Sequence, residues 1–293
     1  MTTSGSKQLV DVRRVLRRHA TSLARDLPWI DCGDPWAVLV SEVMLQQTQV
    51  DRVVGPWRNF LDHYPTPRAL AAAPLDEVLR AWAGLGYHRR ARNLWRCAQE
   101  ITERHDGDVP SDLDELRALR GVGPYTAAAV ASFAFETRVA VLDTNVGRVL
   151  ARCVANRRLT GPEATQLAHA LLPRRDVARF NQAMLDLGAT FCRARPRCAT
   201  CPLARVCAWR RAGGEDPAPF SAGVSRAQPR FVGSRRQLRG QVLAALREGP
   251  ATEATLRVAV DEGLRPDLSS VLDDLARDGL ARVARGRWRL AEG

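Results

Sequence analysis

The chain has 293 residues, with 44 basic against 32 acidic side chains and a formal net charge of +12. Hydrophobic residues at 45% and charged residues at 26% are ordinary globular composition, enough for one large or two modest cores, and exclude a disordered chain. No stretch approaches the roughly 18 apolar residues of a membrane span and Met1–Leu9 is too polar for a signal peptide, so a soluble cytoplasmic protein without membrane partners is expected.

Lys7, in what reads as a polar N-terminal tail, is the only lysine, and the other 43 basic residues are arginines. The folded body therefore has no lysine to serve as a Schiff-base nucleophile. Arginine in excess suits a polyanion, because each guanidinium that neutralises a phosphate releases counterions. The plainer alternative is a soluble protein with solvated arginine faces.

Along the chain, helical periodicity predicts a first helix over 9–24. Asp34-Pro35 reads as an N-cap with proline at the first helical position, opening a helix through Trp36, Leu39, Val40, Val43 and Met44. Glu42 falls inside that apolar segment. A half-buried carboxyl there binds its proton more tightly, as a general acid near neutral pH requires; a polar stripe on an amphipathic helix is the alternative. Gln46-Gln47-Thr48-Gln49 follows, with amides able to enter base stacks. Further helices are predicted at 52–63, 75–83, 88–105, 111–119, 124–135, 146–154, 162–171 and 176–191, and no strand, so the region to about residue 212 is all-α.

Gly121-Val122-Gly123-Pro124-Tyr125 separates two of these helices. Two glycines turn the backbone tightly and leave amides exposed beside a helix N-terminus, a phosphate cradle that needs no side chain; the alternative is an ordinary turn. Asp143 and Asn145 lie in Leu142-Asp143-Thr144-Asn145-Val146, where Asp143 is also a good helix N-cap. Seven cysteines, an odd number, read as reduced thiols. Four of them form Cys192-x5-Cys198-x2-Cys201-x5-Cys207. One close pair flanked by single cysteines fits wrapping a cubic 4Fe-4S cluster better than the two close pairs of structural zinc, which stays open beside uncoordinated thiols. Cys32, Cys97 and Cys153 read as spare thiols.

Residues 213–232 have linker composition. Beyond them, 233–293 predicts helices at 238–246, 253–260 and 268–275 and a hairpin about Gly286, a winged-helix-like α+β unit. With 13 arginines against 11 acidic residues in 213–293, this end adds only +2 to the net charge. DNA contact and a protein-contact or purely packing role are equally open for it. Arg282, Arg285, Arg287 and Arg289 surround the hairpin, and Trp288 between them reads either as a core residue of the unit or as a ring that stacks on sugar or base.

The glycine hairpin, downstream aspartate and four-cysteine loop, in that order, resemble the helix-hairpin-helix DNA glycosylase superfamily. Ser41–Gln49, Gly84-Leu85-Gly86-Tyr87, Leu142–Val146 and Phe180-Asn181-Gln182-Ala183-Met184 resemble its adenine glycosylase (MutY) branch over residues 8–212. The resemblance implies a two-lobed all-α fold: 1–29 with 138–212 as the iron–sulfur lobe, and 30–137 as a six-helix lobe with the helix-hairpin-helix at about 113–135. It implies Glu42 as general acid and Asp143 as the carboxylate stabilising a cationic sugar, supported by Tyr125 and Asn145. Gln47 and Tyr87 would wedge into the duplex, Thr48 and the Gly121, Val122 and Gly123 turn would contact DNA, and Trp29 and Asp186 would meet the adenine. Cys192, Cys198, Cys201 and Cys207 would hold a 4Fe-4S cluster. The implied partner is double-stranded DNA carrying A:8-oxoguanine or A:G, bound by a monomer that hands its product to downstream repair proteins.

The chain departs from that pattern in places. Five residues rather than six separate Cys192 and Cys198, Ile30 stands where arginine or glutamine is common, and His88 replaces a second tyrosine. Tyr125 occupies the position of the lyase lysine of endonuclease III-like relatives, so little lyase activity is expected. The Nudix-like domain that reads 8-oxoguanine is replaced by the winged-helix-like unit. The alternatives are a mismatch thymine or uracil glycosylase and a non-catalytic iron–sulfur DNA-binding or redox-sensing protein.

Overall fold

A computed structural model describes residues 3–224 and 229–292. Met1, Thr2, Gly293 and residues 225–228 of the expected linker lie outside the described residues. In chain order the helices are α1 (Thr3–Leu23), α2 (Pro35–Leu45), α3 (Val54–His63), α4 (Pro67–Ala72), α5 (Leu75–Ala81), α6 (Arg89–Arg104), α7 (Leu113–Ala118), α8 (Pro124–Phe135) and α9 (Thr144–Val149). After a π-helical turn, Leu150–Ala155, come α10 (Gly161–Leu171), α11 (Val177–Thr190), α12 (Ala208–Ala212), α13 (Arg235–Glu248), α14 (Glu253–Ala259) and α15 (Leu268–Arg277). One hairpin, β1 (Ala281–Ala284) with β2 (Arg287–Leu290), closes the chain. Among the described residues, no helix is long and apolar enough to cross a membrane.

Local chemistry explains most boundaries. Asp34 accepts the Trp36 amide at 2.9 Å and Pro35 opens α2, as the sequence predicts. The short α4 escapes sequence periodicity, yet Thr66 caps it from the Ala69 amide with Pro67 at its first position. The polar N-terminal residues are not a tail. They extend α1 back to Thr3, and Gln8 anchors them by donating to the carbonyls of Cys153 and Val206, each at 2.7 Å.

The chain forms two compact units. Unit 1 comprises 1–38, 111–117 and 123–227, and unit 2 comprises 39–110, 118–122 and 228–293. Unit 1 packs α1, α8, α9, α10 and α11 around Leu16, Val146, Leu150, Phe180 and Met184. Of the residues with linker composition, 213–224 belong to it and 229–232 to unit 2. Asp216 pairs with buried Arg152 at 2.6 Å, and the Ser221 hydroxyl accepts the Leu159 amide at 3.0 Å. In unit 2 Trp57, Phe60, Leu79, Trp82 and Leu94 are buried, with Phe60 edge-on to Trp82.

The C-terminal end is the winged-helix-like α+β arrangement predicted. Leu238, Val242, Leu256, Leu272 and Leu275 are buried. Arg285 and Gly286, both at positive φ, form a two-residue turn, and Trp288 pairs back to Ala251. This end shares unit 2 with the segment 75–92. Leu75 donates its amide to the Glu292 carbonyl, and Arg80 and Arg92 donate to the carbonyls of Arg247 and Asp278.

Candidate active site

Asp143 caps α9. One carboxylate oxygen accepts the Val146 amide at 2.8 Å and the other accepts Asn145 Nδ2 at 2.7 Å. Asn145 Oδ1 in turn accepts Arg148 Nη2 at 2.5 Å, and Arg148 reaches the carbonyls of Cys192, at 2.8 Å, and Gly188, at 2.9 Å. Burial pushes the Asp143 carboxyl above the ordinary aspartate value, while those hydrogen bonds and the Arg148 charge pull the other way. The acid is thus fixed in orientation by its own helix and joined through two side chains to the start of the cysteine loop.

Two glycines make this packing possible. A Cβ on Gly188 of α11 would sit 2.6 Å from Asn145 Cβ and 2.7 Å from the Asn145 carbonyl carbon. On Gly147 it would meet the Ala222 carbonyl oxygen at 2.8 Å. The start of α9 therefore lies pressed between α11 and the chain at 222–223.

Elsewhere in unit 1, Trp29 and Asp186 are buried and Tyr125 packs half-buried against the core. Asp186 accepts Arg25 Nε at 2.5 Å and Gln182 Nε2 at 3.0 Å. Arg25 was not singled out by sequence, because one arginine in an arginine-rich chain carries no periodic signal, whereas Gln182 lies in the Phe180–Met184 motif without a role of its own there.

The four loop cysteines line one pocket together with Arg152, Cys153, Leu187, Phe191 and Leu203. Arg152 donates to the carbonyls of Arg193, at 2.6 Å, and Ala194, at 3.2 Å, and approaches Cys192 Sγ at 3.6 Å. Among the described residues, no three His, Cys, Asp or Glu side chains are arranged to hold a single metal ion. Cys153, expected as a spare thiol, is a fifth cysteine at this pocket, because the π-helical turn carries it there beside Arg152. Cys97 is buried and Cys32 exposed.

In unit 2, Glu42 is 5% exposed, and its helical neighbours Leu39, Val40, Val43 and Met44 are all buried. The helix buries every side there, so Glu42 is not part of a solvated stripe. Below it, Arg90 ties two loops together. It donates to the carbonyls of Val43, Met44 and Gln46 at 3.0, 2.7 and 2.6 Å, to Thr48 Oγ1 at 3.0 Å, and to the carbonyls of Leu85 and Gly86 at 3.0 and 3.1 Å. Burial lowers the Arg90 pKa to about 10, so it stays charged at neutral pH.

Gln47 and Tyr87 sit at the ends of these two loops with φ of +58° and +46°. Non-glycine residues in the left-handed region cost about 1–3 kcal/mol and persist where surrounding structure holds them, here through Arg90. In the glycine turn, Gly121 has φ +80° and lies against Asn93, while Glu100 accepts the Arg120 amide at 2.7 Å. Gly121 and Gly123 are exposed and Val122 is buried.

A family model described as HhH-GPD superfamily base excision DNA repair protein matches residues 40–174. The adenine DNA glycosylase of Mycobacterium tuberculosis is 46% identical over 278 residues, which cover 91% of this chain and 89% of that one. A solved thermostable thymine-DNA glycosylase superposes with a TM-score of 0.67 at 26% identity, covering 71% of this chain and 98% of its own. Endonuclease III, trapped as a covalent intermediate with DNA, gives a TM-score of 0.60 at 27% identity over 72% of this chain and 99% of its own.

Proposed function

Since the chain belongs to the adenine DNA glycosylases of the HhH-GPD superfamily, we propose that it removes adenine mispaired with 8-oxoguanine, or with guanine, by hydrolysing the bond between adenine and deoxyribose. The observation that carries this reading is the buried carboxyl of Glu42 on an otherwise apolar helix segment. The flipped adenine takes a proton from Glu42 on its ring, so that it departs neutral as C1′–N9 breaks with both bonding electrons leaving on the base. Water then adds to C1′ and passes one proton to the Glu42 carboxylate left by the first step, leaving an abasic site and the acid restored.

Asp143 faces the positive charge that develops on the sugar. A carboxylate already oriented by Val146 and Asn145 needs no reorganisation as that charge grows, which is the source of electrostatic catalysis. In this reading the two carboxyls have different duties, one an acid and one a stabiliser of charge, as in glycoside hydrolysis. Tyr125 and Asn145 support this end, and Trp29 and Asp186, with Arg25 and Gln182 on its carboxylate, hold the adenine.

DNA contacts follow from the loops. Gln47 and Tyr87, held in strained backbone by Arg90, wedge into the duplex, with Thr48 beside them. The turn at Gly121, Val122 and Gly123 cradles phosphate through its amides.

Cys192, Cys198, Cys201 and Cys207 are the residues that would hold a 4Fe-4S cluster. Four thiols around one pocket, with the Arg152 guanidinium at Cys192 Sγ to offset negative charge, fit that group. When bound it supplies a rigid cross-link for the loop and no step of the excision.

Duplexes carrying A:8-oxoguanine, T:G and U:G, incubated with the protein and then treated with alkali, test the reading. Strand scission at adenine alone is expected. Scission only at the pyrimidine would assign the chain to mismatch pyrimidine repair, and none at all would make it a non-catalytic DNA-binding protein.

A further inference from the structure

The C-terminal helices reach the wedge loop directly. Arg236, in the first turn of α13, donates Nη1 to the Tyr87 hydroxyl at 2.7 Å. Its other terminal nitrogen donates to the Pro229 carbonyl at 2.6 Å, and its guanidinium lies 5.9 Å from the Phe231 ring centroid. Phe231 is itself fixed, since its carbonyl accepts both the amide of Ser234, at 3.1 Å, and the Ser234 hydroxyl, at 2.5 Å, and Ser234 caps α13. Arg236 is thus held between a hydroxyl, a carbonyl and a ring.

On its other side, Tyr87 faces Arg90, whose guanidinium carbon is 5.4 Å from the ring centroid. The ring is gripped by one arginine from α6 and one from α13. The same C-terminal end braces the rest of this segment, with Asp278 facing Arg89 at 3.6 Å and its carbonyl taking Arg92.

We infer that Arg236 is a positioning residue for Tyr87, so that residues 229–292 contribute to telling 8-oxoguanine from guanine by holding the wedge, not by reading the base. This rests on the reading of Tyr87 as the residue that enters the duplex. A side chain ordered before binding spares the complex the cost of ordering it. A ring held at both face and hydroxyl presents one geometry to the opposite strand, where a loose ring adapts to either guanine or its oxidised form.

The test uses the full chain with Arg236→Ala, Arg236→Lys, Tyr87→Phe, Tyr87→Ala and the double variant Arg236→Ala/Tyr87→Phe. Affinity is measured for duplexes with a non-cleavable adenine analogue opposite 8-oxoguanine or guanine, alongside single-turnover excision and thermal melting. Arg236→Ala and Tyr87→Phe are each expected to weaken binding opposite 8-oxoguanine by about three- to tenfold, the scale of ordering one side chain, and to narrow the preference over guanine. The double variant should be no worse than either single one, and Arg236→Lys should recover most of the loss, because an ammonium can still donate to the hydroxyl.

Additive losses, or an unaffected Arg236→Ala beside an impaired Tyr87→Ala, would overturn the inference while leaving the wedge in place. A silent Tyr87→Ala would remove the wedge reading and the inference with it. Tyr87→Phe leaves every other contact of α13 intact, so the cycle remains decisive even if Arg236→Ala melts early.

Discussion

Asp143 is both a helix cap and the proposed stabiliser of the sugar cation, and the two roles separate on substitution. Asparagine caps a helix about as well as aspartate, so Asp143→Asn should melt within about 1 kcal/mol of the parent. Its excision rate should fall at least about 100-fold, as should that of Glu42→Gln, and single-turnover kinetics on bound DNA read both losses. A second residue-scale expectation concerns His88. Burial, then the charges of Arg247, Arg239 and Arg90, lower its pKa to about 4, so it folds neutral. Between about pH 6.5 and 4 the unfolded chain binds the proton and the folded one does not. Stability should therefore fall as pH drops through that window, by on the order of 1 kcal/mol per unit. Denaturant titrations at pH 6.5 and 4.5 should show the loss, and His88→Gln should flatten it. Lys7, exposed in α1, is the chain's single lysine. Borohydride trapping with substrate DNA should accordingly yield little covalent complex, and abundant trapping that survives both Lys7→Ala and blocking of the N-terminal amine would contradict the chemistry proposed.

At the scale of elements, the start of α9 is defined by what it lacks room for. Gly188→Ala would drive a methyl into Asn145 and force α9 and α11 apart, an overpacking cost of about 1–3 kcal/mol. Because Asn145 orients Asp143, excision should drop by more than the melting shift accounts for, and measuring both on one preparation separates the effects. Sequence periodicity finds α9 and α11 but not this crossing. A glycine inside a helix pattern says only that something approaches closely, not what does. The same holds for Asp216 and Ser221. Their Gly-, Pro- and Ala-rich surroundings have the composition of a linker, yet Asp216 accepts two hydrogen bonds from Arg152, and Ser221 and Ala222 both bond Leu159, holding that stretch on unit 1.

For the whole molecule, the winged-helix-like end shares a unit with Glu42 and with the loops that carry Gln47 and Tyr87. Deleting 233–293 would strip partners from Leu75, Arg80, Tyr87, His88 and Arg92 together. The truncated protein should melt at lower temperature than the parent, bind DNA more weakly and discriminate less well between A:8-oxoguanine and A:G. Equal melting, affinity and discrimination for the two forms would show that this end is a passive appendage. Anaerobic purification from iron-replete cells should yield about four irons per chain, and stoichiometric zinc without iron would replace the cluster by a single-ion site.

Amino-acid order alone was enough for most of the helices, the glycine turn, the hairpin at Gly286 and the short motifs around Glu42, Asp143 and the four cysteines. Each is written in local spacing, where caps, periodicity and turn residues act over a few positions. Burial of Glu42 on every side was decided only by tertiary structure, as were the role of Arg90 as the tie between two strained loops, the arrival of Cys153 at the cysteine pocket and the grip of Arg236 on Tyr87. These depend on which arginine among 43, or which cysteine among seven, is brought to a given carbonyl or ring by packing across long sequence separations. Repeated residue types look alike until the chain has closed around one of them.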